Sequence, residues 1–243
     1  MQNPEFLSGD RFASGKKEKR KLSASSEVSK NTTQAEAPAP EEKKNTGFSA
    51  FEKRAAKVIR VLSVPPLMAG VLVLILSFFR KDVFPGAREI VAALLTLTVL
   101  PILAYPVARL IPALRRRGRE GERNTAFLLC FCGYLAAFVW GTVTGCNRYL
   151  LLIFLTYLLS VVWLLFFNKI LHIRASGHSC SITGPIVLVC IAVHPDFITA
   201  GALVYGLIFR ASVVTKRHTV SEFLFGSLTF FLAFGFAALF LLV

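Results

Sequence analysis

Two short polar stations interrupt the apolar second half of this chain. The first reads RASGHS, Arg174 to Ser179, and the second reads FRASVVTKRHTVSEF, Phe209 to Phe223. Between them they supply two histidines, several cations and one carboxylate. His218 and Glu222 are four residues apart, so on a helix they share a face. A carboxylate so placed accepts the proton of one imidazole nitrogen and leaves the other nitrogen free to attack. Attack on phosphorus yields a phosphohistidine. His178, from the other station, can protonate the leaving oxygen. Arg174, Arg217 and Arg210 can hold non-bridging oxygens, because a guanidinium fork matches phosphate geometry. Ser176, Gly177 and the first amides of the helix that follows add donors, since helix N-termini suit anions.

Each part also has a plainer reading. Thr219-x-x-Glu222 is a capping box, which finishes a helix start without chemistry. Lys216 and Arg217 suit the positive side of a membrane span. His178 alone suits an interface, and serine and glycine near a span serve helix packing. The joint order is more specific than its parts: basic-x-Ser-x-His, one hairpin, then Arg-His-x-x-x-acid.

The elements that must position these residues are apolar helices. The chain has 243 residues, of which 54% are hydrophobic, and its mean hydropathy is +0.60. The apolar residues fall in blocks on the scale of a bilayer crossing, about 20 residues per helix. Seven are expected, near 61–79, 88–111, 125–144, 149–167, 179–194, 197–213 and 221–243. The fold class is therefore all-α: a polytopic transmembrane bundle of about 6–7 spans. Pro101, Pro106 and Pro112 predict a kink or break in the second block. The fifth and sixth blocks are joined by the turn His194-Pro195-Asp196 and read as a hairpin packed inside the bundle. One hairpin separates the two stations, so both emerge on one membrane face.

Upstream, residues 1–46 are polar and biased, and read as a disordered tail with no signal peptide. Residues 47–60 read as a juxtamembrane amphipathic helix, and 61–243 as the transmembrane domain. The chain carries 28 Lys and Arg against 14 Asp and Glu. Most of these cations lie in the tail and the short loops, so orientation rules and anionic lipid account for them and nucleic acid is not expected as a partner. The five cysteines lie mainly in apolar runs with no C-x-x-C pattern and read as packing residues. His172 and His194 read as interfacial. No P-loop, H-E-x-x-H, dinucleotide fingerprint or Asp-rich pair is present, and the chemistry above requires no metal or cofactor.

At the two stations the chain resembles the type 2 phosphatidic acid phosphatase superfamily, membrane lipid phosphatases that share a core with vanadium haloperoxidases. Ser176-Gly177-His178 matches the centre of that family's second motif, with Ala175 at its usual proline. His218 matches the third-motif histidine, and Glu222 stands for its aspartate. Arg174-Ala-Ser-Gly-His178 and Arg217-His218-Thr219 are similar to a prokaryotic branch. The arginine expected six residues before the nucleophile falls on Ser212, with Arg210 two places away. The first motif is matched only by Arg116, six residues, then Arg123-Asn124, of which Arg123 is the phosphate-binding candidate. The resemblance covers mainly residues 169 to 243. It implies a phosphatase for a lipid phosphate or isoprenoid diphosphate, with His218 as nucleophile, Glu222 as its orienting acid and His178 as general acid. The thinned cation set carries the alternative of an inactive member that binds or moves phospholipid headgroups.

The bias of Lys and Arg around the spans predicts a multi-pass plasma-membrane protein with its N-terminus and site in the cytoplasm. Single cysteines placed at residues 168–178 should therefore react with an impermeant maleimide only in inside-out vesicles. Labelling from the outer face reverses the orientation.

Overall fold

The computed structural model describes residues 49–215 and 218–242, apart from the side chains of residues 50, 53, 60, 119 and 242. The expected tail 1–46, the first residues of the juxtamembrane segment, Lys216 and Arg217 lie outside the described residues. Every described element is helical. In chain order these are α1 (Ala50–Leu62), α2 (Pro65–Phe79), α3 (Ala87–Leu94), α4 (Leu100–Ile102), α5 (Ala104–Leu110), α6 (Pro112–Arg116), α7 (Gly118–Thr144), α8 (Arg148–Leu165), α9 (Gly177–Ala192), α10 (Phe197–Val214) and α11 (Val220–Leu242).

Among the described residues, five stretches are long and apolar enough to cross a membrane: Ala87–Leu110, Glu120–Thr144, Arg148–Ile170, Phe197–Val214 and Val220–Leu241. The protein is a multi-pass membrane helix bundle. The remaining two apolar helices, α2 and α9, have 15 and 16 residues. At 1.5 Å per residue they are about 22–24 Å long, short of the ~30 Å hydrocarbon core. They pack against each other, with α11 and α10 also lying on α9.

The second expected span is bent where its prolines predict. Its helix passes through a π-turn, Leu95–Val99, ahead of Pro101 and breaks at Ile111, before Pro112 starts α6. Residues Phe166–Ile170 form a second π-turn that extends α8. Helix α8 is the central post. Leu150, Phe154 and Thr156 on it are fully buried, and α7 and α11 pack along it. Tyr134 meets Tyr157 edge to face at 5.4 Å, and Trp163 meets Phe167 and Phe236 at 5.7 and 5.5 Å.

At the end of the bundle away from the two stations, Arg80 ties three connections together. It binds Asp82 at 2.7 Å, donates to the Ala192 carbonyl at the end of α9, and lies 5.0 Å over the Tyr149 ring. Asn147, the cap of α8, donates to the Asp82 carbonyl at 2.9 Å. The starts of α8 and the ends of α2 and α9 are thereby braced at one level.

The expected hairpin exists, but only α9 lies inside the bundle. Helix α10 is mostly exposed, with Leu203, Val204 and Leu207 facing outward. Lipid accepts an apolar face as readily as a protein core does, so hydropathy does not separate the two positions. Beyond α9, α10 meets α11 through Tyr205 and Phe209 and packs more extensively on α1, where Ala56 lies buried against Ala211 and Val214. Ser49 and Glu52 form a reciprocal capping box that starts α1. The other Glu52 oxygen takes a 2.6 Å bond from Arg210 on α10.

The Ser49 amide, and after it the Arg210 guanidinium, hold the Glu52 carboxyl below its ordinary value. A carboxyl lowered in the folded state stabilises the docked helix above the ordinary glutamate range. That contribution is lost as pH falls through the lowered value. Spin labels at Val58 and Leu203 should therefore report one distance at pH 7 and a broadened one well below pH ~4. Arg210→Gln should weaken docking already at pH 7 and flatten the pH response.

Candidate functional site

The site is assembled by the starts of two helices. Helix α9 begins at Gly177 because Ser176, in an extended conformation, caps it: its hydroxyl accepts the Ser179 amide at 3.3 Å. Helix α11 begins through a reciprocal pair. The Glu222 amide donates to Thr219 Oγ1 at 3.2 Å, and the Thr219 amide donates to Glu222 Oε2 at 3.3 Å. The capping box read from the sequence is real.

It does not compete with the chemical reading, because the same carboxylate serves both. Glu222 Oε2 also lies 3.2 Å from His218 Nδ1. With Nδ1 facing the carboxylate, Nε2 of His218 is the nitrogen left for chemistry. Glu222 Oε1 stands 3.9 Å from an Arg174 guanidinium nitrogen. The Arg174 side chain is 86% exposed and Glu222 only 17%. An exposed cation thus stands over a half-buried acid, free to turn toward an anion arriving from water.

His178, in the first turn of α9, brings its ring centroid to 6.4 Å from that of His218, with the planes inclined at 44°. Both histidines are half-buried. Histidines from separate stations therefore share one mouth, as the one-hairpin spacing requires.

Two contacts hold that mouth together. The Ser176 amide donates to the Glu222 carbonyl at 2.9 Å, which joins the helix starts backbone to backbone. One turn later, Gly226 lets α11 lie against the α9 start: a Cβ there would stand 2.2 Å from the Ser176 carbonyl oxygen. Beneath lies a cluster of hydroxyls that the sequence reading missed. Ser179 Oγ donates to the Phe223 carbonyl and lies 2.6 Å from Ser227 Oγ. Ser227 in turn accepts from Thr183 at 3.0 Å and lies 2.7 Å from Tyr205 Oη. Ser179 and Thr183 at i and i+4 were the available signal, since hydroxyls on one face of an apolar helix seek partners on a neighbour.

The other predicted residues fare differently. Ser176 is fully buried as the cap of α9, so its hydroxyl serves its own helix and not the mouth. Gly177 opens α9, whose first-turn amides point out of the helix end. Arg210 is not at the site. It and Ser212 are two residues apart, about 200° around the helix. The Tyr205–Phe209–Ser212 face turns toward Phe223, with ring contacts at 5.3 and 5.2 Å, while Arg210 points to Glu52 of α1. Ser212 itself is 1% exposed, and its hydroxyl has no hydrogen-bond partner among the described residues. Arg123 is exposed on α7, which packs mainly on α8, and makes no ion pair with this group among the described residues. Arg217 lies outside the described residues. His172 is exposed, and His194 pairs with Asp196 at 3.3 Å in the turn at the opposite end. Among the described residues no cluster of three or more His, Cys, Asp or Glu is arranged to hold a metal ion.

No family profile, curated protein or solved structure matches the chain.

Gly226→Val drives a side chain into backbone that cannot yield. It should cost about 1–3 kcal/mol of stability and remove any activity that needs both histidines. Gly235→Ala, where nothing lies within 4 Å, is the matched control and should leave both unchanged. Thermal unfolding in detergent and turnover of the two variants check this.

Proposed function

We propose that this protein is a membrane phosphatase that releases phosphate from a lipid phosphate or isoprenoid diphosphate through a phosphohistidine. The observation that carries the reading is the His218–Glu222 contact at 3.2 Å with the His178 ring 6.4 Å away. A phosphorus atom about 3–3.5 Å from His218 Nε2 brings its leaving oxygen to about hydrogen-bond distance from His178.

In the first step His218 Nε2 forms a bond to phosphorus while the bond from phosphorus to the leaving oxygen breaks. That oxygen departs with the electron pair and takes a proton from His178. Glu222 balances the positive charge that develops on His218 and holds its tautomer. In the second step His178, now neutral, takes a proton from water as the water oxygen attacks the phosphohistidine. The P–N bond breaks, inorganic phosphate leaves, and both rings return to their starting states. Arg174 and the first amides of α9 face the non-bridging oxygens. The apolar tail of the substrate stays in the bilayer around the helices. We place the protein in the plasma membrane with this mouth toward the cytoplasm, on the distribution of its cations.

One observation favours a second reading. Arg210 is held by Glu52, and Ser212 stands where the resembled family carries an arginine. A site with so few fixed cations would suit a protein that binds or moves phospholipid headgroups without cleaving them.

Purified protein presented with a panel of lipid phosphates separates the two. Wild type should release phosphate, His218→Ala should fall to background, and His178→Ala should lose about 10²–10⁴-fold. Acid-labile phosphate on His218 in quenched turnover supports the phosphatase. Equal release by wild type and His218→Ala overturns it.

A further inference from the structure

One peptide unit at the mouth is held from both sides. The unit between Ala175 and Ser176 supplies its N–H to the Glu222 carbonyl of α11 at 2.9 Å. Its C=O, which in a trans peptide points the other way, accepts from Asn168 Nδ2 at 3.1 Å. Both residues of the unit are buried, so losing either bond strips a partner from a buried backbone group.

Asn168 is placed for this by the second π-turn, Phe166–Ile170. There the Leu171 amide reaches back five residues to the Phe166 carbonyl at 3.0 Å. Asn168 Nδ2 also donates to the Leu164 carbonyl, one turn back on α8, at 2.9 Å. Both protons of one NH₂ group are thereby used, one within α8 and one on the strand that leads to α9. Two carbonyl acceptors also fix which end of the amide faces them; an Asp there would set oxygen against oxygen. The strand turns back to meet Asn168 through His172, which takes the left-handed conformation at φ 55°, and the Ile173 amide donates to the Phe167 carbonyl at 2.8 Å.

The clamped unit stands between two residues of the site. Arg174 precedes it and lies 3.9 Å from Glu222. Ser176 is its second residue and caps α9, and His178 follows in the first turn of that helix. A turn of this one peptide plane would move both.

We propose that Asn168 is a positioning residue of the histidine site. Its own hydrogen bonds go to backbone carbonyls, and it acts through the peptide between Ala175 and Ser176 to keep His178 at its place beside His218. The chemical consequence rests on the phosphatase reading, in which His178 protonates the leaving oxygen. A misplaced acid costs most where the leaving group needs the proton. An alkoxide needs it, and the weakly basic 4-nitrophenolate does not.

Asn168→Asp keeps the shape of the side chain and removes both donors. Hydrogen–deuterium exchange of the full-length protein in detergent should show residues 171–177 exchanging about three- to tenfold faster in the variant, the effect of one lost hydrogen bond. Carbethoxylation of half-buried His178 should speed up, while His194 at the opposite end keeps its rate. Turnover of a short-chain alkyl phosphate should fall about 10–100-fold, and that of 4-nitrophenyl phosphate less than about threefold. Asn168→Ala, which adds no charge, should give the same pattern and is read in the same way where the aspartate variant does not fold. Unchanged exchange at 171–177, or an unchanged rate at His178, overturns the proposal. So does an equal loss on the two esters, because a loosened fold lowers both alike. If wild type releases phosphate from neither ester, the phosphatase reading fails, and exchange and His178 labelling decide the role of Asn168 without it.

Discussion

A single missing methyl group governs how the candidate site is built. At Gly226 the α11 backbone approaches the Ser176 carbonyl so closely that a Cβ would stand 2.2 Å from its oxygen. This approach lets the Ser176 amide reach the Glu222 carbonyl at 2.9 Å. Both helix starts are then locked in register, and His178 and His218 face each other although neither makes the contact that joins them. In a bilayer such a backbone link matters more than its length suggests, since no water is present deeper in the core to substitute for it. The hydroxyls of Ser179, Thr183, Ser227 and Tyr205 extend the lock downward. Each such interhelical bond contributes about 0.6 kcal/mol on average, so their value lies in number and direction.

Glu222 shows how little separates a structural motif from a chemical one. Its Oε2 closes the capping box with Thr219 and faces His218 Nδ1 as well. The residue that closes this helix start is thereby placed to orient an imidazole. The helix start supplies the rigidity that a positioning carboxylate needs, at no separate structural cost.

Much of this was legible in the chain. Blocks of apolar residues predicted the spans, Pro101, Pro106 and Pro112 predicted a kink or break in the second, and the four-residue spacing of His218 and Glu222 predicted their contact. What stayed hidden has one physical origin. Inside a membrane protein the lipid-facing and core-facing sides are equally apolar, so α10 read as interior when most of it is exposed. The direction of Arg210 followed the same error, because only the packing of α1 on α10 reveals which side of that helix meets Glu52. Ser176 read as a ligand because a cap and an anion donor use the same atoms in the same place.

The Arg80 brace has an effect at the far side of the bilayer. It levels α8 and α9 at one end, yet α9 has 16 residues where the α8 stretch Arg148–Ile170 has 23. At 1.5 Å per residue the shortfall of seven residues amounts to about 10 Å, and all of it falls at the opposite face. The start of α9, which carries His178, therefore lies below the far end of the α8 stretch. That offset follows from the Arg80 contact with the Ala192 carbonyl at the other end of the bundle.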